Sequence, residues 1–200
     1  DTLDRTTDAT RRLKREEVAV ESLELSRLKE LDAGSWFGTQ FANTRIPTLQ
    51  EALCSIQGKS ITLIERKGGD AATCVRLLRR LGLVNQVVVQ SFDWQYVRDC
   101  HEQESCLILA ALGDEVLSPE RIDQASASGA RIVGWKADDL DATAIERAHR
   151  QGMRVWAYTV NEPAKAQQLI EYGIDGLITD QPKLMRSIVN PSPGARSDDR

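Results

Sequence analysis

The sequence predicts an α/β fold made of repeated βα units, most simply part of a (β/α)8 barrel. From residue 60 onward, strand-like apolar runs recur every ~20–25 residues, with helix-like runs between them. The apolar runs are short and rich in Val and Ile, as expected for the strands of a parallel sheet that is covered on both faces.

Six strands are predicted, together with the helices that connect them. The strand-like runs are 61–67, 86–92, 105–111, 130–136, 153–160 and 174–180. Cap or first-turn signals precede the intervening helices, for example Asp70, Asp93, Asp141 and Asn161-Glu162-Pro163. Several of these helices are expected to end at glycine, namely Gly82, Gly129, Gly152 and Gly173.

Six such units suit either an open doubly wound sheet or an eight-stranded barrel. No GxGxxG follows a strand and no GxxxxGK[ST] occurs, which removes support for a nucleotide-binding open sheet. A barrel of typically ~250 residues needs two more strands, and a chain that starts at Asp1 rather than Met could have lost them. We therefore expect an incomplete TIM barrel in which strands 3–8 are present and strands 1–2 are missing.

Composition excludes several classes of function. The chain has 200 residues, of which 41% are hydrophobic and 28% charged, as in an ordinary globular domain. The net charge of −4 gives no electrostatic case for a nucleic-acid partner. No apolar run approaches the ~20 residues of a transmembrane segment. We expect a cytoplasmic location, and the question of an export segment before Asp1 is left open. The sequence does not indicate an oligomeric state.

The first 60 residues differ from the repeated units. A polar start is followed by a short predicted helix that ends near Gly34. Three aromatics, Trp36, Phe37 and Phe41, are expected to order this region, and Pro47-Thr48-Leu49 predicts a helix start. At the other end, residues 190–200 are rich in Pro, Gly and Ser and are predicted to be disordered.

The stretch ITLIERK offers a candidate site. Side chains of one parity share a face of a strand, so Glu65 and Lys67 should lie together at its exit. From the residues alone, a surface ion pair worth ~0–1 kcal/mol is the simpler interpretation. Half of a functional site is the alternative.

Seven segments resemble the glycerophosphodiester phosphodiesterase family in order and spacing. They are LDRTTDA, LDAGSWF, RIPTLQEAL, IERK, QSFDW, YTVNEP and GIDGLITDQP. The resemblance extends from residue 2 to about residue 189. It implies a (β/α)8 barrel with an insertion after its second strand, so that residues 1–45 are an insertion subdomain and 46–189 a partial barrel.

The family's chemistry supplies expectations for individual residues. The resemblance implies hydrolysis of a small glycerophosphodiester to glycerol 3-phosphate and an alcohol, with Mg²⁺ or Ca²⁺ bound by three carboxylates and two histidines as acid and base. Glu65 matches the position of the third metal-binding carboxylate, and Lys67 that of a lysine facing the phosphate. Tyr158, in YTVN, matches an aromatic residue, usually Trp in WTVN, that lines the substrate pocket.

The sequence also departs from the family pattern. The HRG, ExD and HD motifs, which precede LDRTT in the family, are absent from these 200 residues. His101 and His149 lie in predicted crossover helices, so no catalytic residue is assigned and the chain alone is expected to be inactive. Two alternatives remain, a phospholipase-type relative on the same barrel and a non-catalytic binding module.

Overall fold

The sheet contains six strands that neighbour one another in sequence order. The structure, a computed structural model, describes residues 2–58 and 60–190. The strands are Thr62–Glu65 (β1), Val87–Ser91 (β2), Ile108–Gly113 (β3), Ile132–Lys136 (β4), Arg154–Tyr158 (β5) and Gly176–Leu177 (β6). The sheet order is β1-β2-β3-β4-β5-β6, and the pairs from β2 to β6 are parallel. The six predicted strands and the α/β class are confirmed, whereas the absence of two further strands stays a prediction.

Helices precede the sheet and follow each of its strands. They are Ala9–Leu13 (α1), Leu25–Leu28 (α2), Leu49–Ile56 (α3), Ala71–Leu81 (α4), Trp94–Gln103 (α5), Pro119–Ala127 (α6), Ala142–Arg150 (α7), Pro163–Glu171 (α8) and Pro182–Val189 (α9). Short 3₁₀ turns occur at Val20–Ser22, Thr39–Phe41 and Ala137–Asp139. The alternation of strand and helix from β1 to α9 is that of repeated βα units.

Local sequence signals set where these helices begin and end. The carboxylates of Asp70, Asp93 and Asp141 accept backbone N–H hydrogen bonds in the first turns of α4, α5 and α7. Helix α4 ends at Gly82, whose φ of 68° lies in the left-handed region that glycine adopts without strain. Strands β1, β2 and β4 therefore each lead through a short connecting segment into a helix whose first turn is capped.

Both faces of the central strands are buried. On one face, Val88, Ala110 and Ile132 form an apolar cluster with the partly buried Ile108 and Trp156. The alternate residues of the same strands are buried as well, and α5 packs against β2 and β3 while α7 packs against β5. The Val- and Ile-rich runs are thus strands covered on both sides, as predicted.

The chain divides into two compact units, one ending at Thr62 and the other beginning at Leu63. The first unit has its own core of Leu3, Ala9, Val18 and Leu31. In place of the predicted helix up to Gly34, it has a 3₁₀ turn and the single-turn α2. The proposed boundaries at residues 45 and 189 stay predictions, and the predicted tail falls outside the described residues except for Asn190.

The aromatic residues of the first unit pack against one another without joining its core. The ring centroids of Trp36 and Phe37 are 5.6 Å apart, and those of Phe37 and Phe41 are 5.4 Å apart. These side chains are 52%, 70% and 42% exposed, respectively. The prediction that they order this region is therefore wrong, because the core of the unit is a separate aliphatic cluster.

The carboxylate of Asp32 organises the aromatic segment instead. It accepts hydrogen bonds from the backbone N–H groups of Gly34, Ser35 and Asn43, at 2.9, 2.8 and 2.7 Å. A single carboxylate that accepts several N–H groups can define a loop without apolar burial.

None of the helices described between residues 2 and 190 combines the length and apolar character that crossing a membrane requires.

Candidate active site

The carboxyl end of β1 carries the predicted acidic and basic side chains on one side of the backbone. Glu65 is the last residue of β1, and Lys67 follows two residues later. The Nζ of Lys67 lies 2.5 Å from Oε1 of Glu65. The side chains are 57% exposed for Lys67 and 32% for Glu65, so the pair by itself contributes little to stability.

These two residues line a cavity of about 270 Å³ together with residues from other strand ends. The complete lining is Glu65, Lys67, Gln90, Phe92, Leu112, Tyr158, Thr159 and Ile178. Most of these lining residues lie at or just beyond the carboxyl ends of their strands. Gln90 and Leu112 are each the last residue but one of their strands, β2 and β3. All three predicted site residues therefore lie in one cavity, at the end of the strands where βα barrels carry their active sites. Their chemical roles stay predictions.

Tyr158 forms an aromatic wall of this cavity. Its hydroxyl donates a 2.8 Å hydrogen bond to the carbonyl oxygen of Gly113. Its ring meets the ring of Phe92 in an edge arrangement with centroids 6.1 Å apart. Burial raises the pKa of Tyr158 to about 12, and nearby carboxylates, among them Glu65, add to the shift. Tyr158 is thus a neutral ring at pH 7 whose hydroxyl hydrogen already has an acceptor.

Gln90 is a cavity residue that the sequence analysis missed. It lies in β2 and is only 5% exposed. Its Oε1 has no hydrogen-bond partner among the described residues. The available signal was a polar residue within the apolar run VVVQSF, on the same strand face as the core residue Val88.

Neither histidine lines the cavity. His101 is in α5 and His149 is in α7, where its Nε2 lies 2.8 Å from Oδ2 of Asp175. The Nδ1 of His101 is buried without a partner in the described part of the chain. The lining residues thus include no imidazole that could act as an acid or base on a bound ligand.

The described residues do not by themselves fit a divalent cation. No group of three or more His, Cys, Asp or Glu side chains with metal-binding geometry occurs within residues 2–58 and 60–190. Glu65 is the single carboxylate in the cavity lining, and it is paired with Lys67. Mg²⁺ and Ca²⁺ prefer several oxygen ligands, so Glu65 can be at most one of a set.

Other polar residues at strand exits have structural contacts. The hydroxyl of Ser91 accepts a hydrogen bond from the backbone N–H of Asp93. The side chain of Asn161 donates to Asp180 and accepts from the backbone N–H of Asp180. Asp180 does not cap the next helix, because α9 begins after Gln181 and has no side-chain cap.

Comparison with known proteins identifies the relatives of this chain. Residues 1–184 match the glycerophosphoryl diester phosphodiesterase family. YhdW of Bacillus subtilis, a candidate glycerophosphodiester phosphodiesterase, is 30% identical over 190 residues, covering 91% of this chain and 75% of its own. A glycerophosphodiester phosphodiesterase of Caldanaerobacter subterraneus is 27% identical over 196 residues, covering 94% of this chain and 77% of its own.

Solved structures show the same fold. An Oleispira antarctica phosphodiesterase, determined in complex with the product sn-glycerol-3-phosphate, superposes with a TM-score of 0.80 at 22% identity and covers 94% of this chain and 76% of its own. A glycerophosphodiester phosphodiesterase from Agrobacterium tumefaciens has a TM-score of 0.74 at 23% identity, with 93% and 78% covered.

Proposed function

The chain belongs to the glycerophosphoryl diester phosphodiesterase family, and from this premise we propose that its cavity binds a glycerophosphodiester, which the enzyme hydrolyses to sn-glycerol 3-phosphate and an alcohol. The observation that carries the proposal is the position of Lys67 and Glu65 beside Tyr158 in one cavity at the strand ends. The product complex of the Oleispira antarctica phosphodiesterase supports the choice of ligand.

Lys67 is proposed to bind the phosphate. A phosphodiester carries one negative charge, and an ammonium placed at its oxygens forms a charge-assisted hydrogen bond. In the ligand-free chain this ammonium contacts Glu65, so phosphate binding exchanges one anionic partner for another. Because Lys67 is 57% exposed, solvent screens this attraction and limits its strength.

The proposal extends to a metal. We infer that Glu65 is one ligand of Mg²⁺ or Ca²⁺, since its carboxylate lies in the same cavity as the proposed phosphate-binding lysine. The remaining ligands would come from outside the described residues, in agreement with the lack of any three-ligand group among them.

We also propose that the 200 residues on their own bind product but do not turn over substrate. An alkoxide leaving group needs a proton from a general acid, and neither His101 nor His149 lines the cavity. In this proposal β1–β6 correspond to strands 3–8 of the family's barrel. The two further strands would come from sequence outside the described part of the chain.

Two measurements on the same preparation test the proposal. Calorimetric titration with sn-glycerol 3-phosphate should show saturable binding, while glycerophosphocholine incubated with Mg²⁺ or Ca²⁺ should be hydrolysed no faster than in buffer. The absence of binding would contradict the assignment of the cavity. Robust hydrolysis would contradict the division of roles between this chain and residues outside it.

A non-catalytic binding module is the second candidate, favoured by the lack of histidine in the described cavity lining. The two candidates differ in the behaviour of a protein expressed with the coding sequence upstream of Asp1. Hydrolysis by that longer protein supports the enzyme. Binding of sn-glycerol 3-phosphate without hydrolysis supports the module.

A further inference from the structure

A second cavity lies next to the one that contains Glu65 and Lys67. It has a volume of about 280 Å³ and lies between the segments that follow β4 and β5. Tyr158 and Thr159 line both cavities, so the two are neighbours at the carboxyl ends of the strands. A ligand bound at Lys67 in the first cavity thus has the second cavity beside it.

The second cavity is lined by four charged side chains, two of each sign. They are Lys136, Lys165, Asp138 and Glu162. The Nζ of Lys165 lies 3.2 Å from Oδ1 of Asp138, so these two charges compensate each other. The side chains of Lys136 and Glu162 have no hydrogen-bond or ion-pair partner within residues 2–58 and 60–190. Among the described lining residues, one ammonium and one carboxylate are therefore available to a ligand.

The sheet places Lys136 beside the boundary of the two cavities. Lys136 is the last residue of β4 and is in register with Tyr158 of β5. Residues in register on neighbouring parallel strands point to the same side of the sheet. The four preceding residues of β4 are buried, whereas Lys136 is exposed. Glu162, which immediately precedes α8, is exposed as well. Both charged groups are therefore accessible to a ligand and can bind it without giving up a contact within the protein.

Charge determines which part of a glycerophosphodiester suits this cavity. The glyceryl group is uncharged and would leave both Lys136 and Glu162 without a partner. The alcohol on the other side of the phosphate differs from one diester to the next and can itself carry charges. A carboxylate on that alcohol is complementary to Lys136, and an ammonium is complementary to Glu162. An alcohol with both groups, such as serine, matches the two side chains together.

We propose that the second cavity binds the alcohol half of the diester and favours a zwitterionic alcohol, with Lys136 at its carboxylate and Glu162 at its ammonium. This inference rests on the proposed function and adds to it the class of alcohol. Because both side chains are exposed, solvent screens each contact, and each should change the affinity by about 2- to 5-fold. A diester of serine should therefore bind more tightly than diesters whose alcohol lacks one or both charges.

The test compares three diesters by calorimetry in metal-free buffer. They are sn-glycero-3-phosphoserine, sn-glycero-3-phosphoethanolamine and sn-glycero-3-phosphoglycerol, and each step along this series removes one charged group from the alcohol. The unsubstituted chain should lose about 2- to 5-fold in affinity at each step. Lys136→Met should abolish the difference between the serine and ethanolamine diesters. Glu162→Gln should abolish the difference between the ethanolamine and glycerol diesters.

Matched variants separate these contacts from a general effect on charge or folding. Lys136→Arg keeps the positive charge and should keep the preference for the serine diester. The controls are Lys183→Met in α9 and Glu171→Gln in α8, two exposed residues outside the lining of both cavities. They should alter neither difference. Because all of the substituted side chains are exposed, the melting temperatures of the variants should equal that of the unsubstituted chain.

Three results would overturn the inference. They are equal affinity of the unsubstituted chain for the three diesters, a preference for serine that survives Lys136→Met, and a preference for ethanolamine over glycerol that survives Glu162→Gln. If the unsubstituted chain still binds sn-glycerol 3-phosphate in those cases, the proposed function stands without this inference. If it binds neither sn-glycerol 3-phosphate nor any of the diesters, the proposed function fails and this inference fails with it.

Discussion

The hydroxyl of Tyr158 in β5 donates a 2.8 Å hydrogen bond to the carbonyl oxygen of Gly113, the last residue of β3. Strand β4 lies between these two strands in the sheet, so the contact passes over the carboxyl end of a neighbouring strand. The ring of Phe92, which follows β2, contacts Tyr158 from another direction. The aromatic wall of the cavity is therefore fixed before any ligand binds.

Tyr158→Phe should lower the free energy of unfolding by about 1 kcal/mol, because it removes one partly buried hydrogen bond and leaves the Gly113 carbonyl without that partner. Urea denaturation measures the change. The control Tyr172→Phe removes a hydroxyl that accepts from Gln168 in an exposed contact, and it should have almost no effect. Equal stability of Tyr158→Phe and the unsubstituted chain would show that the bond does not anchor the wall.

Gly113→Ala should destabilise the sheet by about 1–3 kcal/mol, the usual range for overpacking. A Cβ at this position would lie 2.3 Å from the ring of Trp135, which is completely buried. At Gly68 a Cβ would meet nothing within 4 Å, so Gly68→Ala is the control and should not destabilise. Denaturant unfolding of the two variants side by side measures the difference in their free energies of unfolding. If Gly113→Ala is as stable as the unsubstituted chain, the close packing of Gly113 against the Trp135 ring is refuted.

Asp32→Asn should destabilise the chain at neutral pH, and the difference from the unsubstituted chain should shrink in acid. Backbone N–H groups, that of Ser35 foremost, lower the pKa of Asp32 well below its ordinary value of 3.8. A group whose folded pKa is lowered contributes stability above the unfolded pKa and loses it as the pH falls from about 3.8 toward the folded value. Asp32 should therefore matter at pH 7 and progressively less below pH 4.

Melting temperatures between pH 7 and pH 2, followed by circular dichroism, measure this effect. The control is Asp123→Asn, which removes a carboxylate that accepts from one exposed amide, that of Gln151. Asp123→Asn should change the melting temperature only slightly at every pH in this range. If the difference in melting temperature between Asp32→Asn and the unsubstituted chain stays constant with pH, the role proposed for the Asp32 carboxylate is contradicted.

The sequence was sufficient to predict the sheet because each strand carried a local signal. At several of the repeats, an apolar run is followed by a loop and then by a helix-capping residue such as Asp70 or Asp141. The common cavity of Glu65, Lys67 and Tyr158 was also predictable, because parallel strands bring their carboxyl ends to one edge.

Features that depend on packing at a distance were not predictable. Gln90 gave only the weak signal of one polar residue in an apolar strand, and its unpaired oxygen is visible only once its neighbours are placed. The large apolar side chains of Trp36 and Phe37 suggested that they order the first unit, yet its core is an aliphatic cluster that does not include them. Hydrophobicity predicts burial only where other apolar residues converge.

The central claim is that Lys67 and Glu65 form one charged site for a phosphate. Calorimetric titration of sn-glycerol 3-phosphate in metal-free buffer tests it with Lys67→Met, Glu65→Gln and the control Lys183→Met, an exposed lysine of α9. Lys67→Met should weaken binding roughly 3- to 10-fold, since an exposed ammonium is partly screened. Glu65→Gln should strengthen binding by removing a competing negative charge, and Lys183→Met should change nothing. Equal affinities for all four proteins would contradict the claim.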